Sequence, residues 1–246
     1  MQLVSLYDNQ NVGDIVRSDY RTAGVFREYG INYCCKGNFR LREVCSAKNV
    51  SYAEVVLKLN QVSQTANLPL DLQFDKWKTD FLIDYIVNIH HAYLKQTLPQ
   101  LEGEMHYLVN HRKNEYPQLQ TAMSIHSAIC VLMDEEHRQQ EEVLFPYIKQ
   151  IYSAHRRQEP YGGLLVRTLR KPMKAPGDNH DQLNEYLTSL RQLTDNYRVS
   201  HGRCTRYDIL MQRLRELDNQ LVLHKHLENN ILFPAAIVIE QDLLKA

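Results

Sequence analysis

Apolar residues recur three and four positions apart along most of the chain after residue 76, the spacing of one buried helical face. Four such stretches, at about 77–110, 117–153, 174–200 and 205–240, predict four long helices. Their breaks fall at Glu115-Tyr116-Pro117, at Glu159-Pro160-Tyr161-Gly162-Gly163 and around Ser200-His201-Gly202, with a longer loop over about 155–175. Mostly short connections favour antiparallel neighbours, so an up-down four-helix bundle is expected over residues 71–246. Residues 1–70 predict a small helical domain. There Asn11 caps a first helix, a second covers about Tyr20–Tyr29 with Gly30 as its stop, and Ser51 with Glu54 opens Tyr52–Gln61. The polar stretch from Ser63 to Asp75 reads as a linker.

The seams of the four long helices are not uniformly apolar. The first reads His91, Leu94, Leu98, Leu101, Met105, Leu108, and the second Met123, Cys130, His137, Glu141, Leu144, Ile148, Ile151. The third reads His180, Leu183, Leu187, Leu190, Thr194, Tyr197, and the fourth Leu210, Leu214, Leu217, Leu221, His224, Glu228, Ile231, Ala235, Val238. Each helix points one imidazole inward. His-x-x-x-Glu occurs twice, at His137/Glu141 and His224/Glu228, and four residues advance a helix by about 400°, so each pair shares a face. Each is followed by Leu-Phe-Pro, which makes helices two and four a weak internal repeat.

Composition narrows the picture. Gly (9) and Pro (8) are sparse in 246 residues, which argues against a turn-rich β architecture and for an all-α fold. Lys+Arg and Asp+Glu balance at 29 each, so neither a non-specific nucleic-acid binder nor an anionic-membrane binder is expected. No apolar run reaches the roughly 18 residues of a membrane span. The first residues lack a signal-peptide pattern, and five cysteines at irregular spacings suit reduced thiols, so the cytoplasm is the expected compartment.

Burying four imidazoles and two carboxylates without partners would cost several kcal/mol, and no Arg or Lys stands on the seams to satisfy them. A metal centre resolves this. Six donors from four helices exceed the needs of one ion but suit two, and mixed nitrogen and oxygen donors favour iron or manganese over a closed zinc site. Two ferric ions, bridged by both carboxylates and an oxo or hydroxo group, leave a residual charge small enough to bury. Of the remaining histidines, His90 predicts a surface or outer role and His226 faces away from His224. His126 returns to the face of His137, as a buried hydrogen-bonding residue or one lining an access path; His106, His111, His155 and His201 lie near helix ends. The adjacent pair Cys34-Cys35, beside Lys36 in a loop, is a candidate redox or iron-transfer centre.

These residues resemble the iron–sulfur cluster repair di-iron proteins, the repair of iron centres family. The matching positions are Val12-Gly13-Asp14-Ile15-Val16, Asp19-Tyr20-Arg21-Thr22-Ala23, Val25-Phe26, Tyr29-Gly30-Ile31 and Cys34-Cys35. Further along they are His91 before Leu98-Pro99, His137 and Glu141 before Leu144-Phe145-Pro146, His180-Asp181, and His224/Glu228-Asn229-Asn230 before Leu232-Phe233-Pro234. The resemblance implies a hemerythrin-like bundle with His91, His137, His180 and His224 as terminal ligands and Glu141 and Glu228 as bridges between two non-haem irons. It also implies a cytoplasmic homodimer that repairs iron–sulfur proteins damaged by nitric oxide or peroxide; iron donation is the expected route, because carboxylate bridges can shift and loosen an iron. The alternatives are an O2- or NO-binding sensor or carrier, or a di-iron nitric oxide reductase. One departure stands out: Glu141 precedes Phe145 by four residues, whereas Glu228 precedes Phe233 by five, which makes Glu142 a competitor for the bridge.

Overall fold

The computed structural model describes residues 7, 9–18, 22–33, 39–64, 72–169, 178–199 and 204–245. Among these the chain is helical throughout, with one isolated antiparallel bridge between Asn11 and Arg40 and no strand. The all-α expectation holds. By its contacts the chain divides into two compact units, residues 1–82 with 222–238, and residues 83–221 with 239–246.

In the first unit, α1 (Val12–Ser18), α2 (Ala23–Glu28), α3 (Leu41–Ala47) and α4 (Tyr52–Gln64) enclose a core of Val12, Ile15, Val16, Phe26, Leu41, Val55 and Leu59. Asn11 accepts the amide of Ile15, and Gly30 ends α2 at φ +63°, where a side chain would be strained. Glu54 donates its backbone N–H to the Ser51 hydroxyl, one arm of the expected capping box. Residues 222–238 belong to this unit because α1 packs against the turn Glu228–Leu232 and Val222 lies on the same core. Positions 224–229 are consequently buried on every side.

In the second unit the expected long helices are present, several of them interrupted. α5 (Thr79–Tyr85) passes through a π-helical turn, Ile86–His91, into α6 (Ala92–Arg112). Likewise α7 (Gln118–Gln139) runs through Gln140–Leu144 into α8 (Phe145–Arg156). A helix not foreseen in the sequence, α9 (Gly162–Leu169), occupies the stretch read as loop. Its glycines explain it: a Cβ on Gly163 would lie 2.8 Å from the Leu243 carbonyl oxygen, so only a bare backbone allows this approach. α10 (Asp178–Leu193) follows, and α11 (Thr205–Leu227) continues through the π-helical turn Glu228–Leu232 into α12 (Phe233–Lys245). α7 packs against both α6 and α10.

The first and third seams are buried as read, apart from His180, whose side chain lies outside the described residues. Two stretches differ. On α7 the buried face is Leu119, Ala122, His126, Ile129, Met133 and His137, one residue from the expected Met123 and Cys130, which are only half-buried. Beyond Glu228, the expected Ala235 and Val238 are exposed and the face passes through Leu232, Ala236, Ile239 and Leu243. The α7 face precedes its wide turn, where a straight helix drifts from a strict seven-residue count; beyond Glu228 the cause is the proline after Leu-Phe. Pro146 and Pro234 have no N–H to donate and would clash with the carbonyls of Glu142 and Asn230, and both of those residues lie within a π-helical turn. A wide turn inserts one residue and shifts the seam after it.

Candidate metal centre

The wide turns fall at the candidate ligands. His91 ends the first, Glu141 lies in the second and Glu228 opens the third. Single π-turns of this kind are rare and concentrate at functional sites, because the extra residue brings side chains together that an α-helix would separate.

In the second unit the structure brings together three of the six expected ligands. His91 and His137 are both buried and their rings stack, with centroids 3.9 Å apart and planes 19° from parallel. Their ligand nitrogens lie within 4.8 Å of one another. Phe145 stacks on His91 in turn, at 5.8 Å. Glu141 Oε1 sits 2.7 Å from His91 Nδ1 and Glu142 is exposed, so the carboxylate that meets an imidazole is Glu141. With Nδ1–H donated to Glu141, His91 keeps its Nε2 lone pair, the orientation in which a carboxylate sets a histidine toward a metal.

In the first unit His224 and Glu228 are fully buried, with Nε2 and Oε1 3.4 Å apart, one helical turn from each other. Nearby, His226 packs edge-on against Tyr33 at 5.6 Å and faces the Asn230 amide at 3.0 Å. The side chain of His226 therefore serves the packing of the N-terminal helices. His180 lies on the backbone of α10, and Cys34-Cys35 falls outside the described residues, although the adjacent Tyr33 is anchored by its ring and by its carbonyl, 3.5 Å from Asn230 Nδ2.

Two expectations need correction. His90 is buried, not on the surface: its ring meets Tyr85 at 5.4 Å, and burial, followed by the neighbouring His91, pushes its pKa down to about 4. The seam carboxylates also have basic partners. Lys95 Nζ donates to both oxygens of Glu141 at 3.0 Å, and Lys225 Nζ, itself buried, donates to Glu228 Oε2 at 3.1 Å. Both lysines stand off the seams and reach back with flexible stems, which seam spacing does not register. Burial raises the Glu141 pKa, but the hydrogen bonds from His91 and Lys95 outweigh it and leave the carboxyl below its ordinary value.

Of the other histidines, His126 is buried with Nδ1 3.6 Å from Cys130 Sγ, and His111 meets the Tyr107 carbonyl at 2.8 Å. Seam reading also missed Gln140, buried at the start of the second wide turn. The unequal Glu-to-Phe spacing was its signal.

The donors suit a hard or borderline cation: neutral imidazoles and carboxylates in a dry interior, with no thiolate among the described residues of the set. Comparison with known proteins agrees with this chemistry. Residues 8–63 match ScdA_N, described as a domain of unknown function (DUF542). The N-terminal segment is similar to this domain. Along most of its length the chain is related to proteins named iron-sulfur cluster repair protein. It is 26% identical over 224 residues to ScdA of Staphylococcus epidermidis, covering 90% of this chain and 95% of the relative. It is 27% identical over 238 residues to YtfE of Enterobacter sp. (strain 638), covering 95% and 99%. To YtfE of Salmonella newport it is 26% identical over the same length. No helix among the described residues is long and apolar enough to cross a membrane.

Proposed function

We propose that the chain repairs iron–sulfur clusters damaged by nitrosative or oxidative stress, and that it does so by carrying two irons and releasing iron to the damaged cluster. His91, His137, His180 and His224 would hold the irons, with Glu141 and Glu228 supplying the carboxylates. The relatives' names supply the repair, and the observation that carries the metal reading is the buried His91–His137 pair with Glu141 on the Nδ1 of His91. Four neutral imidazoles and two carboxylates would supply a site for ferrous or ferric iron, and an oxo or hydroxo bridge would absorb further charge.

The lysines fit iron as cargo. When iron leaves, the buried Glu228 carboxylate must regain a cationic partner or be stranded at a cost of several kcal/mol, and the part-exposed Glu141 loses less. Lys95 stands on Glu141 and Lys225 on Glu228, so each acid has an ammonium to return to. Cys34 and Cys35 act as the acceptor or reducing thiols, the target is a damaged iron–sulfur protein, and a cytoplasmic homodimer is the working form.

The test combines metal content with repair. Purified protein should carry about two irons per chain. The iron-loaded form should restore a nitric-oxide-treated [4Fe–4S] enzyme, with loss of iron from the donor matching gain by the acceptor. Stoichiometric zinc without iron would overturn the centre, and repair without iron transfer would overturn the donation step and favour NO chemistry at the irons.

A further inference from the structure

The two His-x-x-x-Glu segments do not occupy equivalent places in their wide turns. Both turns end immediately before Phe-Pro, and both begin five residues before the phenylalanine, at Gln140 before Phe145 and at Glu228 before Phe233. Counted from this shared landmark, the position of Glu228 is taken on the second helix by Gln140, not by Glu141. Burial follows the same count: Glu228 is 0% exposed and Gln140 4%, whereas the Glu141 side chain is 27% exposed.

The Gln140 side chain is only half satisfied. Its amide Nε2 donates to Glu136 Oε1 at 3.3 Å, which fixes the flip so that Oε1 is the other end. That oxygen is buried and has no hydrogen-bond partner. Leaving a buried carbonyl oxygen unmet costs about 1–3 kcal/mol, and a leucine would fill the same position without that cost. His137 stands three residues before Gln140 and is buried on the same face, and Glu141 follows it directly.

We propose that Gln140 is an additional oxygen donor to the iron pair, a neutral carboxamide at the place where the other His-x-x-x-Glu helix presents a buried carboxylate. This deepens the di-iron reading and rests on it. The chemical consequence is asymmetry. A carboxamide oxygen is a hard donor that suits iron and brings no negative charge, so it would give one iron a ligand that the other lacks. The iron that Gln140 helps to hold would then leave more slowly than the other.

The experiment uses full-length protein loaded anaerobically with 57Fe(II), comparing wild type, Gln140→Leu and Gln140→Glu. Readouts are iron per chain, release to a ferrous chelator and the Mössbauer spectrum, with helix content by circular dichroism as the folding control. Wild type should show two inequivalent iron signals and biphasic release. Gln140→Leu should speed the slow phase about tenfold and shift one signal only, toward the other, and Gln140→Glu should slow that phase further and move the two signals apart. Two irons in every variant, with release and spectra equal to wild type, would overturn Gln140 as a donor while leaving the centre intact, its oxygen then meeting a buried water only. If Gln140→Leu does not fold, Gln140→Glu decides by the same criteria. Absence of iron from wild type would instead remove the centre itself.

Discussion

The imidazole of His91 lies flat against that of His137, with ring centroids 3.9 Å apart, and holds Glu141 at its outer nitrogen. Two rings so close in a dry interior repel strongly if both carry a proton, and the arrangement is favourable when their inward nitrogens share a cation instead. Without His137, His91 keeps Phe145 and Glu141 but loses the nitrogen stacked beside it. His137→Ala should therefore lose at least one of two irons while keeping its helix content. Iron per chain, measured beside circular dichroism, checks this. Full iron content in the folded variant would remove His137 from the centre.

Lys95 competes with any cation for Glu141, because its ammonium occupies both carboxylate oxygens at 3.0 Å. The lysine head is mostly in water, so its pairing is weak, and what it changes is the carboxylate's alternative to iron. Lys95→Met should retain iron longer, slowing release to a chelator by about threefold to tenfold, in line with an ion pair of about 1 kcal/mol. Faster release would mean that the lysine supports the loaded state.

His126 gives the chain an acid-sensitive element away from the centre. Burial pushes its imidazole down from 6.5 to about 4, against a smaller upward pull from Glu102. Between these values the unfolded chain binds a proton that the folded chain refuses. Stability therefore falls as pH drops from 6.5 toward 4, by up to about 3 kcal/mol from this residue. Urea unfolding of His126→Gln between pH 7 and pH 4.5 should show a flatter acid slope than wild type. An unchanged slope would show that the site admits water or a counter-ion on protonation.

Helix type and the four long helical stretches were legible because their apolar period is strong, and His91, His137, His224 and Glu228 were legible because each interrupts that period at a core position. Part of what seam counting lost comes from the wide turns. An extra residue before Phe145 and Phe233 exposes Ala235 and Val238 and buries Gln140, and a fixed three-four count passes over that insertion. Proline one residue after phenylalanine is the local cause, and it was visible in the sequence as Leu-Phe-Pro. His90 and Lys225 were lost for a different reason: the seam count assumes one buried face, yet both residues lie where the helix is covered on more than one side. The lysine partners of Glu141 and Glu228 also weaken an inference made from burial alone, since the acids are not stranded without metal. The stacked histidines carry that inference instead.

Asp218 fixes α10 to α11 away from the candidate ligands and separates stability from metal binding. It is fully buried and accepts a fork from Arg191, Nε to Oδ2 at 2.7 Å and a terminal nitrogen to Oδ1 at 2.5 Å, with the Tyr197 hydroxyl adding a third bond at 2.9 Å. Tyr197 reaches this position from a left-handed backbone at φ 59°, just past a helix end where Thr194 accepts the Tyr197 amide. Removing the acid leaves a guanidinium and a phenol around an empty place, so Asp218→Ala should cost about 3–5 kcal/mol in urea unfolding. Replacing both partners of the pair by apolar residues, as Arg191→Met with Asp218→Leu, should recover most of that loss, because neither charge is then stranded. Both variants should retain wild-type iron at temperatures where they are folded. A stability loss below about 1 kcal/mol for Asp218→Ala would mean that solvent already screens the pair, as it does for exposed ion pairs.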